Sequence, residues 1–212
     1  MVNKISCPLC NAISDTFFEK NGRMFFKCTN CCSVFLDQSI TIPKETEKQR
    51  YMLHNNNADH KGHLDFIEPL IQKVITKFDK GSIGLDFGSG EGAIITKALK
   101  ERGYDIASYD PFFFDNVDLL KQKYNYIVCC EVIEHFSEPA KEFALLSSLL
   151  ILRGALLCMT ELYSEEIDFP SWYYKNDITH RFFYHRKAIE WIQREYGLAS
   201  SSIDGRIIAL VK

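Results

Sequence analysis

Four cysteines near the amino terminus have the spacing of a metal site. Two residues separate Cys7 from Cys10 and Cys28 from Cys31, and seventeen residues lie between the pairs. Paired knuckles at this spacing are typical of zinc ribbons, in which four thiolates surround Zn²⁺ and leave no open coordination position. We therefore predict a structural zinc site with these four cysteines as ligands. Cys32 is an alternative to Cys31, although the two-residue knuckle favours Cys31.

The segment between the cysteine pairs predicts a β-hairpin. It reads TFFEKNGRMFFK, with aromatic residues on both sides of Asn21 and Gly22. This dipeptide tolerates positive φ and suits a two-residue turn, which brings the second cysteine pair back onto the first. Zinc would stabilise a segment that is too small to hold itself together.

The charge of this ribbon argues against a nucleic-acid partner. Residues 1–50 contain seven basic and five acidic residues, and four thiolates with one Zn²⁺ contribute a charge of −2, so the segment is neutral. Phosphate binding depends on excess positive charge, so binding to RNA or DNA is not expected, with aromatic stacking on a single strand as the open alternative. We expect the ribbon to support the structure or to cover a substrate.

A glycine-rich loop forms a second candidate site. A strand pattern at residues 83–87 runs directly into Gly88-Ser89-Gly90-Glu91-Gly92, and a helical pattern follows. Such a loop lets the main chain approach a ligand closely at the carboxyl edge of a sheet. The second and third glycines are too close for the dinucleotide fingerprint, which disfavours a dehydrogenase, and no Gly-Lys-Ser or Gly-Lys-Thr of a phosphate loop occurs.

Two aspartates accompany this loop. Asp86 precedes the glycines, and Asp110 ends the next predicted strand, where a carboxylate can accept hydrogen bonds from ribose hydroxyls. Each aspartate alone is also typical of a solvated loop, but their combination favours a nucleoside site. Phe112 and Phe113 follow Asp110 and are candidates for a purine slot, with burial in the core as the alternative.

Together these motifs resemble the class I S-adenosylmethionine-dependent methyltransferases. LDFGSGEGA is similar to their first motif, YDP to the acidic end of their second strand, and CCEVIEHF to the segment that ends their fourth strand. The resemblance spans about residues 51–212 and implies methyl transfer. It places the cofactor's methionine moiety near Asp86, Gly88, Ser89 and Gly90, its nucleoside near Asp110, Pro111 and Phe112, and the methyl group near Glu131. Tyr51 and His54 are candidates to cover the amino-acid end of the cofactor, with exposed linker residues as the alternative.

The remaining pattern predicts an α/β fold with a Rossmann-like, mostly parallel sheet and helices on both faces. Amphipathic helices are expected at residues 63–78, 93–101, 139–150 and 186–196, and strands at 126–130, at 155–159 after an Arg153-Gly154 turn, and in a closing hairpin at 203–211. Only fifteen residues separate Asp110 from Tyr126, so the third strand should be short or missing. The usual adenine contact is then in doubt, with Asp115, Asn116 or Asp118 as substitutes.

The segment FPSWYYKNDITHRFFYH, at residues 169–185, is the candidate acceptor side. It resembles the acceptor-facing segment of bacterial small-molecule methyltransferases, which reads D-x-T-H-x-x-F-F/Y, and its aromatic residues are expected to wall a pocket. A hydroxyl or acidic carbon must lose a proton, and imidazole is a suitable base. His180 is the first candidate, a structural histidine is the alternative, and His135 and Glu131 compete with it. Glu134 is expected to cap or be solvated in its loop.

Length and composition limit the classes of protein to which this chain can belong. Its 212 residues are 46% hydrophobic and carry a net charge of −3, which fits a folded chain without a polyanion partner. The apolar stretch at residues 144–152 is far shorter than the roughly 20 residues of a membrane helix. The amino terminus lacks the apolar segment of a secretion signal, so a cytoplasmic chain with reduced cysteines is expected. The boundaries predicted are a ribbon at 1–42, a linker at 43–59 and a methyltransferase domain at 60–212.

The predicted function is methyl transfer from S-adenosylmethionine to a small-molecule, glycan or lipid-precursor acceptor at oxygen or carbon. Two alternatives remain open. One is an RNA base methyltransferase that uses the ribbon for recognition, and the other is a non-catalytic zinc-ribbon scaffold that binds only partners.

Overall fold

Two β-sheets and five α-helices make up the computed structural model, which describes residues 5–56 and 60–212. The strands are β1 (Ile5–Ser6), β2 (Ile13–Lys20), β3 (Arg23–Cys28), β4 (Val34–Leu36), β5 (Ile83–Phe87), β6 (Asp105–Tyr109), β7 (Tyr124–Cys130), β8 (Leu150–Met159), β9 (Phe182–Phe183), β10 (Ser200–Asp204) and β11 (Ile207–Val211). The helices are α1 (Lys44–Asn56), α2 (His60–Lys77), α3 (Ile94–Glu101), α4 (Pro139–Leu149) and α5 (Arg186–Glu195). Among the helices described, none is long and apolar enough to cross a membrane.

The larger sheet has the strand order β10-β11-β8-β7-β5-β6. Strands β6, β5, β7 and β8 are parallel, whereas β11 pairs antiparallel with both β8 and β10. The predicted α/β class is confirmed, and the sheet is mixed. The segment between β6 and β7 holds a short 3₁₀ helix (Val117–Lys121) instead of a third strand, as its length predicted.

Helices cover both faces of this sheet because side chains alternate along its strands. On β7, Tyr126 and Val128 pack in one core with α2 and α3, and Ile127 and Cys129 pack in the other with α4 and α5. Successive strand residues point to opposite faces, so a strand covered on both sides is apolar throughout.

The smaller sheet joins the ribbon to a distant part of the chain. Its order is β1-β2-β3-β4-β9, and β9 comes from the predicted acceptor segment. The β2–β3 hairpin turns at Asn21 and Gly22, both at positive φ, as predicted. Leu9 and Phe26 of the ribbon lie in the same buried cluster as residues of the larger sheet. The ribbon therefore has no separate core.

Two segments differ from the sequence pattern. Residues 44–56, placed in the predicted linker, form α1, whose first turn carries Glu45 and Glu47 near the positive end of the helix dipole. The expected turn at Arg153 and Gly154 lies inside β8 instead. There Arg153 has φ 66°, and a Cβ on Gly154 would come within 2.9 Å of a backbone oxygen, so a local irregularity replaces the turn.

Candidate functional site

The glycine-rich loop after β5 depends on two residues without a side chain. Gly88 has φ +78°, and a Cβ there would lie 2.6 Å from the Val132 side chain. Gly90 has φ +63°, a region that side-chain-bearing residues rarely adopt. The Gly88 amide donates to the Tyr109 carbonyl at 2.8 Å, which holds the loop against the end of β6.

Two aspartates beside this loop are buried. The alternative that each is a solvated loop residue is therefore wrong. Asp110 is 6% exposed, and its two oxygens accept the amides of Gly90 and Phe112, each at 2.9 Å. Asp86 is 2% exposed and accepts from the Thr96 hydroxyl at 2.9 Å. Burial raises the pKa of Asp86 to about 7, against the opposing effect of the Thr96 hydrogen bonds.

A cavity of about 1080 Å³ opens over this loop. It is bounded by the glycine loop, α1, the ends of β6 and β7, and the segment after β8. The predicted site residues that line it are Tyr51, Asp86, Gly88, Ser89, Gly90, Asp110, Pro111, Phe112, Glu131, His135 and His180. The side chain of His54 lies outside the described part of the structure. The three polar substitutes at 115, 116 and 118 are not among the lining residues, whereas Leu120 and Leu145 are.

Helix α1 forms one wall of this cavity. The Tyr51 ring meets Phe112 at a centroid distance of 5.6 Å and His135 at 5.2 Å, and its hydroxyl donates to Glu47 at 2.8 Å. Burial raises the pKa of Tyr51, so this phenol is neutral. Arg50 forms an ion pair with Asp177 at 2.9 Å, which ties α1 to the predicted acceptor segment.

Two histidines from distant parts of the chain meet in the cavity wall. The rings of His135 and His180 lie 4.8 Å apart. The Nδ1 atom of His135 lies 3.1 Å from the Thr179 carbonyl, and that of His180 lies 2.7 Å from the Tyr174 carbonyl. Carbonyl oxygens only accept, so each Nδ1 carries the hydrogen. In the neutral rings, Nε2 therefore carries the lone pair.

Glu134 is fully buried beside these histidines, so the expectation of a solvated or capping residue is wrong. Its Oε1 accepts from the Tyr174 hydroxyl at 2.6 Å and its Oε2 from the Thr160 hydroxyl at 2.9 Å. Oε1 also lies 4.0 Å from Nε2 of His180. Burial raises the pKa of Glu134. The tertiary contacts with Tyr174, forty residues away, were not visible in the local sequence.

Glu131 is held by an arginine that the sequence analysis missed. Both carboxylate oxygens accept from Nη2 of Arg206, at 2.7 and 2.8 Å, and Glu131 has φ 51°. Burial raises the pKa of Glu131, and Arg206 opposes that rise. Arg206 also contacts Glu161 at 3.1 Å. It follows the Asp204-Gly205 turn of β10 and β11, and only the antiparallel pairing of β11 with β8 brings that turn to the cavity.

The aromatic segment behaves differently from the expectation that it walls a pocket. Tyr173 and Tyr174 line the cavity, whereas the other predicted wall residues are buried. Phe182 and Tyr184 lie in the core that holds α4 and α5, and Trp172 and Phe183 lie in a third buried cluster with Phe25 of the ribbon. Strand pairing explains the burial of Phe182 and Phe183, because β9 pairs with β4 and its two side chains pack against the ribbon.

The ribbon contacts the backbone around His180 directly. Arg23 donates to the carbonyls of Lys175, Asp177 and His180 at 3.0, 3.3 and 3.3 Å. The Leu36 amide donates to the carbonyl of the next residue, Arg181, at 2.8 Å. Ribbon and cavity wall are thus one hydrogen-bonded unit.

The four predicted ligand cysteines lie together. Their sulfur atoms are all within 4.8 Å of one another, with 3.7 Å between Cys7 and Cys31 and 3.3 Å between Cys10 and Cys28. Thiolates on tetrahedral Zn²⁺ lie roughly 3.8 Å apart, so this cluster fits such an ion. Cys32 lies outside it and contacts the Asn30 carbonyl.

Comparison with known proteins identifies the family. A family model described as a methyltransferase domain matches residues 53–202. The chain belongs to this methyltransferase family. A search of curated proteins finds no match.

Solved structures share the fold of this methyltransferase at low identity. An O-methyltransferase family protein from Burkholderia thailandensis is 13% identical with a TM-score of 0.54, over 81% of this chain and 63% of its own. The magnesium protoporphyrin IX methyltransferase of Synechocystis is 14% identical with a TM-score of 0.53, and the match covers 82% of this chain and 89% of that protein. The 1,6-didemethyltoxoflavin N1-methyltransferase of Burkholderia thailandensis is 11% identical with a TM-score of 0.55, and the match covers 93% of this chain and 98% of that protein. This chain thus spans under two thirds of the first protein.

Proposed function

We propose that this methyltransferase moves a methyl group from S-adenosylmethionine to a small molecule, a class that includes glycan and lipid precursors, at an oxygen or carbon atom. One observation carries the proposal: the glycine loop with its two aspartates and the His135–His180 pair open into the same cavity. Donor and acceptor sites on one cavity are what a direct transfer requires.

The donor fits the chemistry of the glycine loop. Bare main chain at Gly88 and Gly90 permits close approach, and Asp110, together with Asp86 in its ionised form, provides negative charge for a ligand that carries a sulfonium and an ammonium. Asp110 already accepts two amides, but each carboxylate oxygen has a second lone pair for a ribose hydroxyl. Phe112 borders the same space. Strands β5 to β8 are parallel, and a position at the carboxyl ends of parallel strands supports this assignment.

The bound donor supplies an electrophilic methyl group. Held by the glycine loop and Asp110, the donor would give this methyl group to the acceptor's electron pair and would leave as a neutral thioether. The proton of the acceptor passes to Nε2 of His180, whose Nδ1–H is held by the Tyr174 carbonyl. His135 and Glu131 are the competing candidates for this role, because both line the cavity.

Named relatives support a small-molecule acceptor. The structural neighbours include methyltransferases of a magnesium porphyrin and of 1,6-didemethyltoxoflavin. Against RNA, Phe25, Phe26 and Phe35 of the ribbon are buried and cannot stack on a base, although Phe17 is 36% exposed.

We also propose that the four-cysteine cluster holds a structural Zn²⁺. A closed set of four thiolates has no open position for a substrate. Its contribution would be to hold β3 and β4, and through them the backbone of the acceptor segment.

The test is a methyl-acceptor screen with purified protein and methyl-labelled S-adenosylmethionine. Extracts of small metabolites, glycans, lipids and total RNA serve as separate acceptor pools, and calorimetry measures donor binding. Label in a small-molecule pool supports the proposal. Label in RNA alone would establish a nucleic-acid methyltransferase, and absence of donor binding would leave the scaffold alternative.

A further inference from the structure

A cluster of Glu134, His135 and His180 has the composition of a metal site. One carboxylate oxygen and one ring nitrogen from each histidine lie within 4.8 Å of one another. Ligand atoms bound at about 2.1 Å to a single cation lie about 3.0 to 4.2 Å apart. Bringing a separation of 4.8 Å into this range needs a contraction of about 0.6 to 1.8 Å.

The histidines are oriented as metal ligands are. Nδ1 of each ring donates to a main-chain carbonyl, at Thr179 for His135 and at Tyr174 for His180. Metal-bound histidines almost always make such a second hydrogen bond, because it selects the tautomer and fixes the ring. A backbone carbonyl accepts whether or not an ion is present, so this orientation is built into the fold.

A cation beside Glu134 would stabilise the charged form of this carboxyl group. The carboxylate is 0% exposed, and its two hydrogen bonds come from neutral hydroxyls of Tyr174 and Thr160. Arg206 is engaged in pairs with Glu131 and Glu161. A charged carboxylate is costly to bury, and a cation bound beside it would offset that cost.

We propose that Glu134, His135 and His180 bind a divalent transition-metal cation in the wall of the cavity. Two imidazoles and one carboxylate suit Mn²⁺, Fe²⁺, Co²⁺ or Zn²⁺ better than Mg²⁺ or Ca²⁺, which prefer oxygen ligands alone. Glu131 lines the same cavity as the two histidines and accepts from the same Tyr174 hydroxyl as Glu134, at 3.2 Å.

The role of this cation in catalysis rests on the proposed function, whereas its binding does not. Open coordination positions would face the cavity and take an oxygen of the acceptor. Metal coordination lowers the pKa of a hydroxyl. The proton then passes to water, and the oxygen keeps the electron pair that bonds to the methyl carbon. His180 would act through the cation instead of accepting the proton itself, and acceptors with a hydroxyl would be preferred.

The test measures Mn²⁺ binding to the full chain with its ribbon zinc in place. Mn²⁺ is visible by electron paramagnetic resonance and competes poorly for four thiolates. The variants are His135→Asn and His180→Asn, whose amide N–H keeps the bond to the carbonyl while Nε2 is lost, and Glu134→Gln. The matched control is His185→Asn, outside the cluster, where asparagine also keeps the cap of α5.

We expect one Mn²⁺ per wild-type chain, affinity lowered by about ten- to a hundredfold or more in each cluster variant, and no change in His185→Asn. Far-ultraviolet circular dichroism and zinc content establish that each variant folds. In the wild type, nuclear magnetic resonance should show Mn²⁺ broadening the ring signals of His135 and His180 most strongly among the histidines. Failure of the wild type to bind Mn²⁺, or equal binding by the folded variants, would overturn this proposal. Neither result would affect donor binding or methyl transfer, which are measured separately.

Discussion

Arg23, in the second strand of the ribbon hairpin, donates a hydrogen bond to the main-chain carbonyl of His180 at 3.3 Å. The same guanidinium reaches the carbonyls of Lys175 and Asp177. One ribbon side chain therefore fixes three points of the backbone that carries the candidate base. The ribbon acts on the cavity through this contact and through the pairing of β4 with β9.

Replacement of Arg23 by alanine should lower kcat by about tenfold or more, because misplacement of a catalytic group by about 1 Å is costly. Donor affinity should stay within about twofold, since the glycine loop and Asp110 lie on other elements. Turnover kinetics and calorimetry measure the two effects separately. Lys27→Ala is the control, because Lys27 pairs with the largely exposed Glu165 and such pairs contribute little. Unchanged kcat in Arg23→Ala would show that the contact is dispensable.

Loss of the proposed ribbon zinc should destabilise the cavity wall as well as the ribbon. Cys10→Ser is expected to lose the bound zinc and to unfold at lower temperature, because the site holds together strands that have no core of their own. Zinc analysis and thermal unfolding are the measurements. Cys32→Ser is the matched control, since Cys32 lies outside the cluster. If Cys10→Ser retained zinc and matched Cys32→Ser in thermal stability, the ligand assignment would be wrong.

Gly88→Ala should weaken donor binding by tenfold or more. The added Cβ would lie 2.6 Å from Val132 and would sit at φ +78°, so the loop must move. Calorimetry with S-adenosylmethionine measures the loss. Gly197→Ala is the control, because Gly197 also has positive φ but no atom within 4 Å of its Cβ position. Adding Val132→Ala to Gly88→Ala should restore part of the affinity, and no restoration would show that backbone strain alone is responsible.

The buried carboxyl of Asp86 predicts a specific dependence of stability on pH. Burial raises its pKa from 3.8 to about 7, so between these values the folded protein retains a proton that the unfolded chain has lost. Its contribution to stability is present in full below pH about 4 and is lost as the pH rises to 7, by about 1.4 kcal/mol per unit. Asp86→Asn cannot titrate and should lack this loss.

Denaturant unfolding of wild type and Asp86→Asn at several pH values tests this prediction. The difference in unfolding free energy between the two proteins should change by on the order of 4 kcal/mol across the window. Asparagine can still accept the Thr96 hydrogen bonds, which makes the comparison matched. Parallel pH profiles for the two proteins would contradict the raised pKa.

Local sequence patterns accounted for features whose partners are close along the chain. The cysteine spacing, the Asn21-Gly22 hairpin and the glycine loop with Asp86 each express geometry that a few neighbouring residues impose. The missing third strand followed from chain length alone, because fifteen residues cannot form a helix, a strand and two connections.

Contacts between distant parts of the chain determine the other features of the site. The local sequence predicts Glu134 as a loop residue, but the fold brings Tyr174 and Thr160 into hydrogen bonds with it. Arg206 contacts Glu131 because β11 pairs with β8. Local sequence indicates the glycine loop and the cysteine knuckles because short backbone segments have few conformations. Only tertiary structure brings His135 and His180 together and makes the ribbon part of the cavity wall, because those contacts join residues that no local pattern relates.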